Sequence, residues 1–442
     1  MASARDLIRT NTGPQSGLVI TSDYNESSFT PKGWTKSHLY STQKIEVTAV
    51  NASNDAFGST LEFRPAKNAD YYGFVCLQIP FSAITRGSDD TFCRFVDYAG
   101  LFAIESIKVS HVSNLLTQID GNLLYPQYIK NSDPRKRHHY DPLVLGNLSP
   151  MVRHTLARSP QVALVPLDGL FWFTYSTSCF IPVIVLSHEL RFEVTFRYPS
   201  AIIQSDYAAN GGLNPPACSI SAQTIKGITY NPALVFLASH VSGDERAFQT
   251  SIYEADGLMA PFKEFKAQPR VTITAGQSGK IPIRLTSLKD QVSEIWFVIR
   301  RAADVSTQWL NRPSRTLSYV AVSFTGNGGE MIPTHTKEYI DRRIREQFYS
   351  SWQSQYVNIG VLPLAWVPED PVNCTGTIHL GVISDPILNI DVGTSDGQSE
   401  AFDVLNGKGE DSTGAENIVV DVFTSAFNWL HFVGGDVNKT FQ

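Results

Sequence analysis

A serine nucleophile, a phosphate cradle and a polyanion contact are the chemistries that short patterns in this sequence could support. Gly393-Thr394-Ser395-Asp396-Gly397 fits G-x-S-x-G, an elbow that needs a strained strand-to-helix turn so that the serine is exposed and the next N–H can hold an oxyanion. The residues that follow, QSEAFDVLNGKGED, have no helical periodicity, and the one histidine further along, His431, lies inside an apolar segment. The pattern reads as a turn between strands, and no catalytic residue is assigned. Gly276-Gln277-Ser278-Gly279-Lys280 is a fragment of a phosphate loop, but Thr274 stands at the first glycine position and Ile281 replaces the hydroxyl residue that would hold magnesium. It reads as a hairpin turn.

Arg135, Lys136 and Arg137, followed by His138 and His139, form a basic run whose clustered cations could contact a phosphate or sulfated sugar. Flanking Asp133-Pro134 and Asp141-Pro142 favour a solvated loop. Adjacent His138 and His139 point apart in extended chain and have no carboxylate cluster assigned to them, so no metal or other cofactor is expected. Asn25, Asn51, Asn147, Asn373 and Asn438 stand in N-x-S/T sequons, candidate glycosylation sites only if the chain meets a glycosyltransferase. Trp172, Trp296, Trp366 and Trp429 lie in apolar segments and read as core residues. Cys76, Cys93, Cys179, Cys218 and Cys374 show no metal-binding spacing and read as free thiols of a reducing compartment.

The elements that must carry these residues are mostly strands. Ile45, Val47 and Ala49 alternate with polar residues, and Leu190, Phe192, Val194 and Phe196 alternate strictly with Arg191, Glu193, Thr195 and Arg197, which predicts a strand with one wet face. Tyr71 to Pro80 reads as a strand covered on both sides. Strands are also expected in Gln161–Leu167 (QVALVPL) and Phe180–Leu186 (FIPVIVL), and, further on, at 234–238, 271–274, 281–285, 295–300, 317–324, 378–383 and 387–392. The best helix candidate is Thr336 to Tyr349, where Tyr339, Ile340, Ile344 and Phe348 recur at helical spacing. Many short strands with few helices exclude a parallel α/β sheet and predict an all-β chain of two antiparallel sandwiches in tandem. Residues 1–42 read as an arm, 43–204 as the first sandwich, 205–216, rich in Gly and Pro, as the linker, and 217–442 as the second. FIPVIVLSHELRFEVTF in the first half and TIHLGVISDPILNIDV in the second match in order and spacing, which predicts a topological repeat.

The 442 residues exceed what one core usually covers. With 36 Lys plus Arg against 42 Asp plus Glu, the formal charge of -6 provides no general attraction for phosphates, so direct nucleic acid binding is not expected. The opening MASARD predicts neither a secretion signal nor myristoylation, and no run nears the roughly 20 apolar residues that span a bilayer.

Several blocks resemble the major capsid proteins of nucleocytoplasmic large DNA viruses, the iridovirus, phycodnavirus and African swine fever virus group. They are TLEFRPAKNADYYGFVCLQIPFSAIT, LFAIESIKVSHVSNLLTQIDGNLLYPQYI, PLDGLFWFTYSTSCFIPVIVLSHELRFEVTFR, VNIGVLPLAWVPEDPVNCTGTIHLGVISDPILNIDV and FNWLHFVGGD, spread over residues 43 to 435. The resemblance implies a double jelly roll, each an eight-stranded sandwich with short helices in loops, and no enzymatic activity. It implies a homotrimer forming a pseudo-hexagonal capsomer that tiles an icosahedral shell, so the expected location is the virion, after assembly in the host cytoplasm. Expected partners are neighbouring capsomers, minor capsid and penton proteins, and an inner membrane near the N-terminal arm. Loops at Ser113–Pro160 and Arg301–Arg315 become candidates for outer tower or trimer contacts. The alternatives are a poxvirus-type double jelly-roll scaffold and a jelly-roll carbohydrate-binding protein.

Overall fold

The computed structural model describes residues 40–51, 57–84, 91–131, 138–167, 181–198, 201–207, 232–241, 243–274, 279–285, 291–302, 319–343, 359–364, 376–392 and 417–440. The first strands are β1 (Tyr40–Thr48), β2 (Thr60–Phe63), β3 (Tyr71–Phe81), β4 (Thr91–Phe95), β5 (Ile104–His111), β6 (Asn114–Asp120), β7 (Gln161–Pro166), β8 (Ile181–Pro182), β9 (Leu190–Phe196), β10 (Ile203–Tyr207) and β11 (Ala233–Val241). They form one sheet in the order β1-β11-β3-β7, with β8 on β3, and a facing sheet in the order β2-β9-β5-β6; β4 and β10 pair separately.

The same plan recurs in β12 (Leu258–Ala267), β13 (Val271–Ile273), β14 (Lys280–Arg284), β15 (Gln291–Arg301), β16 (Ala321–Gly326), β17 (Gly329–Thr336), β18 (Ile359–Pro363), β19 (Ile378–His379), β20 (Ile387–Asp391), β21 (Ile418–Val433) and β22 (Asp436–Lys439). Here the sheets run β12-β21-β15-β18, with β13, β19 and β22 attached, and β14-β20-β16-β17. Each order in the second half reproduces one in the first, strand for strand. Every strand pair is antiparallel. The chain is therefore an all-β double jelly roll, with eight sandwich strands in each half.

Alternation produces the cores directly. Leu190, Phe192, Val194 and Phe196 of β9 are buried and the residues between them half-buried. Phe192 meets Phe236 of β11 edge-on at 5.6 Å. In the second core Trp296 and Phe297 of β15 are fully buried, as are Leu388 and Ile390 of β20. A buried aromatic or aliphatic side chain contributes about 1.5–3 kcal/mol over its exposed state, so these rows carry the two folds.

The repeat predicted from FIPVIVLSHELRFEVTF and TIHLGVISDPILNIDV is present, but its apolar runs are not long strands. β8 has two residues and passes into a 3-10 turn, Val183–Val185; β19 likewise passes into Leu380–Val382. Each turn closes the corner with a backbone bond, Leu186 N to Val183 O and Ile383 N to Leu380 O, both 3.2 Å. A run of apolar residues signals burial, and in the first sandwich a corner that buries Val183, Val185 and Leu186 satisfies it as well as a strand does.

Other expectations are corrected. β11 lies beyond the expected boundary at 205–216, yet it hydrogen-bonds between β1 and β3 and is the eighth strand of the first sandwich. Residues 205–207 belong to β10 rather than to a linker. Ser113–Pro160 is not a long loop, since it holds β6 and helices at Gly121–Asn131 and Pro150–Leu156. The predicted helix is found as Lys337–Arg343, and residues 344–349 lie outside the described residues. β13 and β14 lie in different sheets, so the segment with Gly279 and Lys280 crosses between sheets instead of closing a hairpin.

Candidate functional site: the seam between the sandwiches

β6 is the edge of its sheet, and across from it stand β12 and β22 of the second sandwich. Charged side chains stand there among polar and apolar ones. Arg197, just past β9, was expected on a wet face, but it is 5% exposed. Its Nη2 donates to Asn122 Oδ1 at 3.1 Å, and burial pushes its pKa down to about 10, with Asp120 opposing. Burial raises Asp120 above the ordinary carboxylate value, while the Asn122 N–H at 2.8 Å and the charge of Arg197 pull it back.

Gly121 is what lets the chain turn into this place. A Cβ there would lie 2.0 Å from the Ile104 carbonyl oxygen and 2.8 Å from Arg197 Nη2, so no other residue fits. From the second sandwich come Arg300, whose Nη2 bonds Asp421 Oδ2, and Arg270, whose Nε bonds Asp421 Oδ1 at 2.7 Å. The charges of Arg300 and Asp421 act on both Asp120 and Arg197. Beside them Glu264 of β12 accepts from Lys439 at 2.7 Å and from Asn428 at 2.9 Å. A cleft of about 370 Å³ runs along this line, with Thr117, Asp120, Glu264, Lys266, Gln268 and Lys439 among its walls. Each of these bonds lies within one sandwich, and the charges of the two sandwiches act on one another across the seam through space.

The corner after β8 forms the other end of the seam. Ser187 N donates to Gly435 O at 2.6 Å, and Gly435 N donates to the Tyr253 hydroxyl of the helix Gly243–Asp256. Gly435 has φ +86 and its Cβ would meet Ser187 Cβ at 2.9 Å. Asn114 donates to Asn438 at 2.8 Å, and His111 Nδ1 lies 3.8 Å from Asp436.

The sequence motifs do not gather here. Asn438 is the exception, exposed at the seam and held by Asn114. Asn51 is exposed far from it, donating to Thr60 O at 3.0 Å and accepting from Glu62 N at 2.8 Å. Asn147 is exposed with φ 55. Asn25, Asn373, Arg135, Lys136, Arg137 and the Gly393–Gly397 pattern lie outside the described residues. The rings of His138 and His139 lie 3.8 Å apart, tilted by 42°, instead of pointing apart. Trp296 is core, its Nε1 donating to Glu294 at 2.7 Å, and Trp429 is half-buried. Among the described residues no group of three or more His, Cys, Asp or Glu stands close enough to hold a metal ion, and no helix is long and apolar enough to cross a membrane.

The strands thus build a tandem pair of eight-stranded jelly rolls that meet along this seam. No protein-family model and no curated protein matches the sequence. Solved structures do match the fold. A chain of the PBCV-1 virus capsid is 13% identical with a TM-score of 0.68, covering 94% of this chain and 100% of that one. The Faustovirus major capsid protein is 12% identical with a TM-score of 0.65, over 98% of this chain and 94% of that one. The mavirus major capsid protein is 10% identical with a TM-score of 0.52, over 98% and 97%. The fold is that of double jelly-roll major capsid proteins.

Proposed function

We propose that this chain is the structural major capsid protein of a large DNA virus, acting by assembly rather than catalysis. Three copies associate into a pseudo-hexagonal capsomer, and capsomers tile an icosahedral shell with minor capsid and penton proteins. The chain assembles in the host cytoplasm and resides in the virion, its N-terminal arm turned toward an inner membrane. The working units are residues 40–241 and 243–440, the sequons being candidate glycan sites and Arg135–Arg137 a candidate polyanion contact.

The observation that carries the reading is that the likeness to capsid proteins spans both sandwiches. A second feature supports self-association. In the first sandwich the corner residue Val185 is 8% exposed, while Val382, at the equivalent corner of the second, is 77% exposed. Contact between the sandwiches is head-to-tail, and a head-to-tail contact leaves one unused surface at each end until a ring closes.

Native mass by light scattering tests this. A concentration-independent species near three times 48.9 kDa, about 147 kDa, is expected. Val382→Asp is expected to keep the folded chain and its melting temperature but to reduce the mass to that of one chain. A wild-type monomer at every concentration would overturn self-association.

A further inference from the structure

His111 ends β5 at the seam and has no accessible surface. Neither ring nitrogen makes a hydrogen bond of normal geometry. The groups facing it come from three directions. Asp436, at the start of β22, is 3.8 Å from Nδ1. His188, in the corner before β9, has its ring centroid 6.3 Å away and its backbone close by. Lys67, from the segment between β2 and β3, donates to Ser187 O at 3.4 Å and adds a positive charge.

We infer that His111 is an acid-sensitive latch on the seam, and that protonating its ring releases the β21–β22 turn from the first sandwich. An imidazolium in that position would be cut off from water and repelled by the charges of Lys67 and His188, with the Asp436 carboxylate and the His188 backbone as the groups that favour it. Asp436 is 57% exposed, so solvent weakens its attraction. Opening the seam is the available route to water for the charged ring.

The direction of the pH effect follows. Burial, the largest influence, holds His111 below the ordinary value of 6.5 in the closed seam, with Asp436 opposing. The open seam restores the ordinary value. The closed form is therefore fully favoured above 6.5 and loses ground as pH falls through 6.5 toward the lower closed-state value. At about pH 5 the open-to-closed ratio rises by up to about 30-fold over its neutral value. The latch acts within one chain and does not depend on whether copies associate.

Hydrogen–deuterium exchange on the full-length protein tests it, read on peptides covering 430–440 and 183–190 at about pH 7.5 and about pH 5, after correction for intrinsic rates. Wild type is expected to lose protection in both peptides at the acid pH. His111→Gln, which cannot take the proton, is expected to bring the ratio between the two pH values close to one. Asp436→Asn removes the attraction for the imidazolium and is expected to enlarge the acid loss. Equal protection of wild type at both pH values, or an acid loss retained in His111→Gln, would overturn the latch. Should His111→Gln fail to fold, an acid loss in Asp436→Asn no larger than wild type overturns it equally.

Discussion

The two sandwiches share a strand plan but close the same hairpin in opposite ways. In the second, β16 and β17 are joined by Asn327-Gly328, both at positive φ, 53 and 76, the pair that a two-residue turn of matching twist prefers. In the first, the equivalent β5 and β6 are joined by Val112-Ser113, and Val112 has φ 52 while 59% exposed. A β-branched residue is strained there. The edge strands differ to match: β17 is almost wholly exposed, whereas Leu116, Thr117 and Ile119 of β6 are buried. Local turn chemistry shapes the free hairpin, and the contact across the seam from Asn114 to Asn438 holds the strained one.

The largest effect expected is one that the two halves share. Phe192 of β9 and Leu388 of β20 are both fully buried on the equivalent strand of each sandwich. Phe192→Asp and Leu388→Asp each bury a charge with no partner and should cost on the order of 4 kcal/mol or more, eliminating soluble protein. Soluble yield of the two variants, measured side by side, checks it. Normal yield from one of them would break the equivalence of the sandwiches and the facing of that strand.

This equivalence was legible in sequence where burial follows a short period. The alternation at Leu190–Phe196 needs only local reading, and the spacing of the β8–β9 and β19–β20 segments predicted their common form. The site was not legible in the same way. Arg197 continues a polar alternation and yet is buried, bonded to Asn122 and within reach of the charges of Arg300 and Asp421. Asp120 and Asp421 stand 301 positions apart, and nothing local marks them as neighbours of the same charges. β17, GEMIPTHT, exposes nearly every residue, so it has no apolar period to detect. β11 carries a good strand signal, but which sandwich takes it is decided by pairing with β1 and β3.

A middle-sized effect separates the seam from its surroundings. Gly434 and Gly435 are adjacent, both at positive φ, 63 and 86. A Cβ on Gly434 meets nothing within 4 Å, while one on Gly435 meets Ser187 Cβ at 2.9 Å. Gly434→Ala should carry the backbone cost alone, about 1 kcal/mol, and Gly435→Ala should lose about 1–3 kcal/mol because the corner must also move. Thermal unfolding of both variants measures the difference. Equal losses would mean that the Ser187–Gly435 contact adds nothing to the hold between sandwiches.

The smallest effect runs in the opposite direction and sharpens the contrast between the hairpins. Replacing Val112 with Asn or Gly should relieve the positive-φ strain, and because the side chain is exposed little packing is lost. The expected gain is about 1 kcal/mol, read as a rise in the unfolding midpoint. Gly328→Val at the equivalent turn should lose a similar amount, since a Cβ there has open space and the cost is backbone alone. If Val112→Asn instead destabilises the chain, the Val112 side chain has a role at the seam that its exposure does not account for. Opposite signs at the two turns would show that the hairpin is specified locally in one sandwich and by its neighbour in the other.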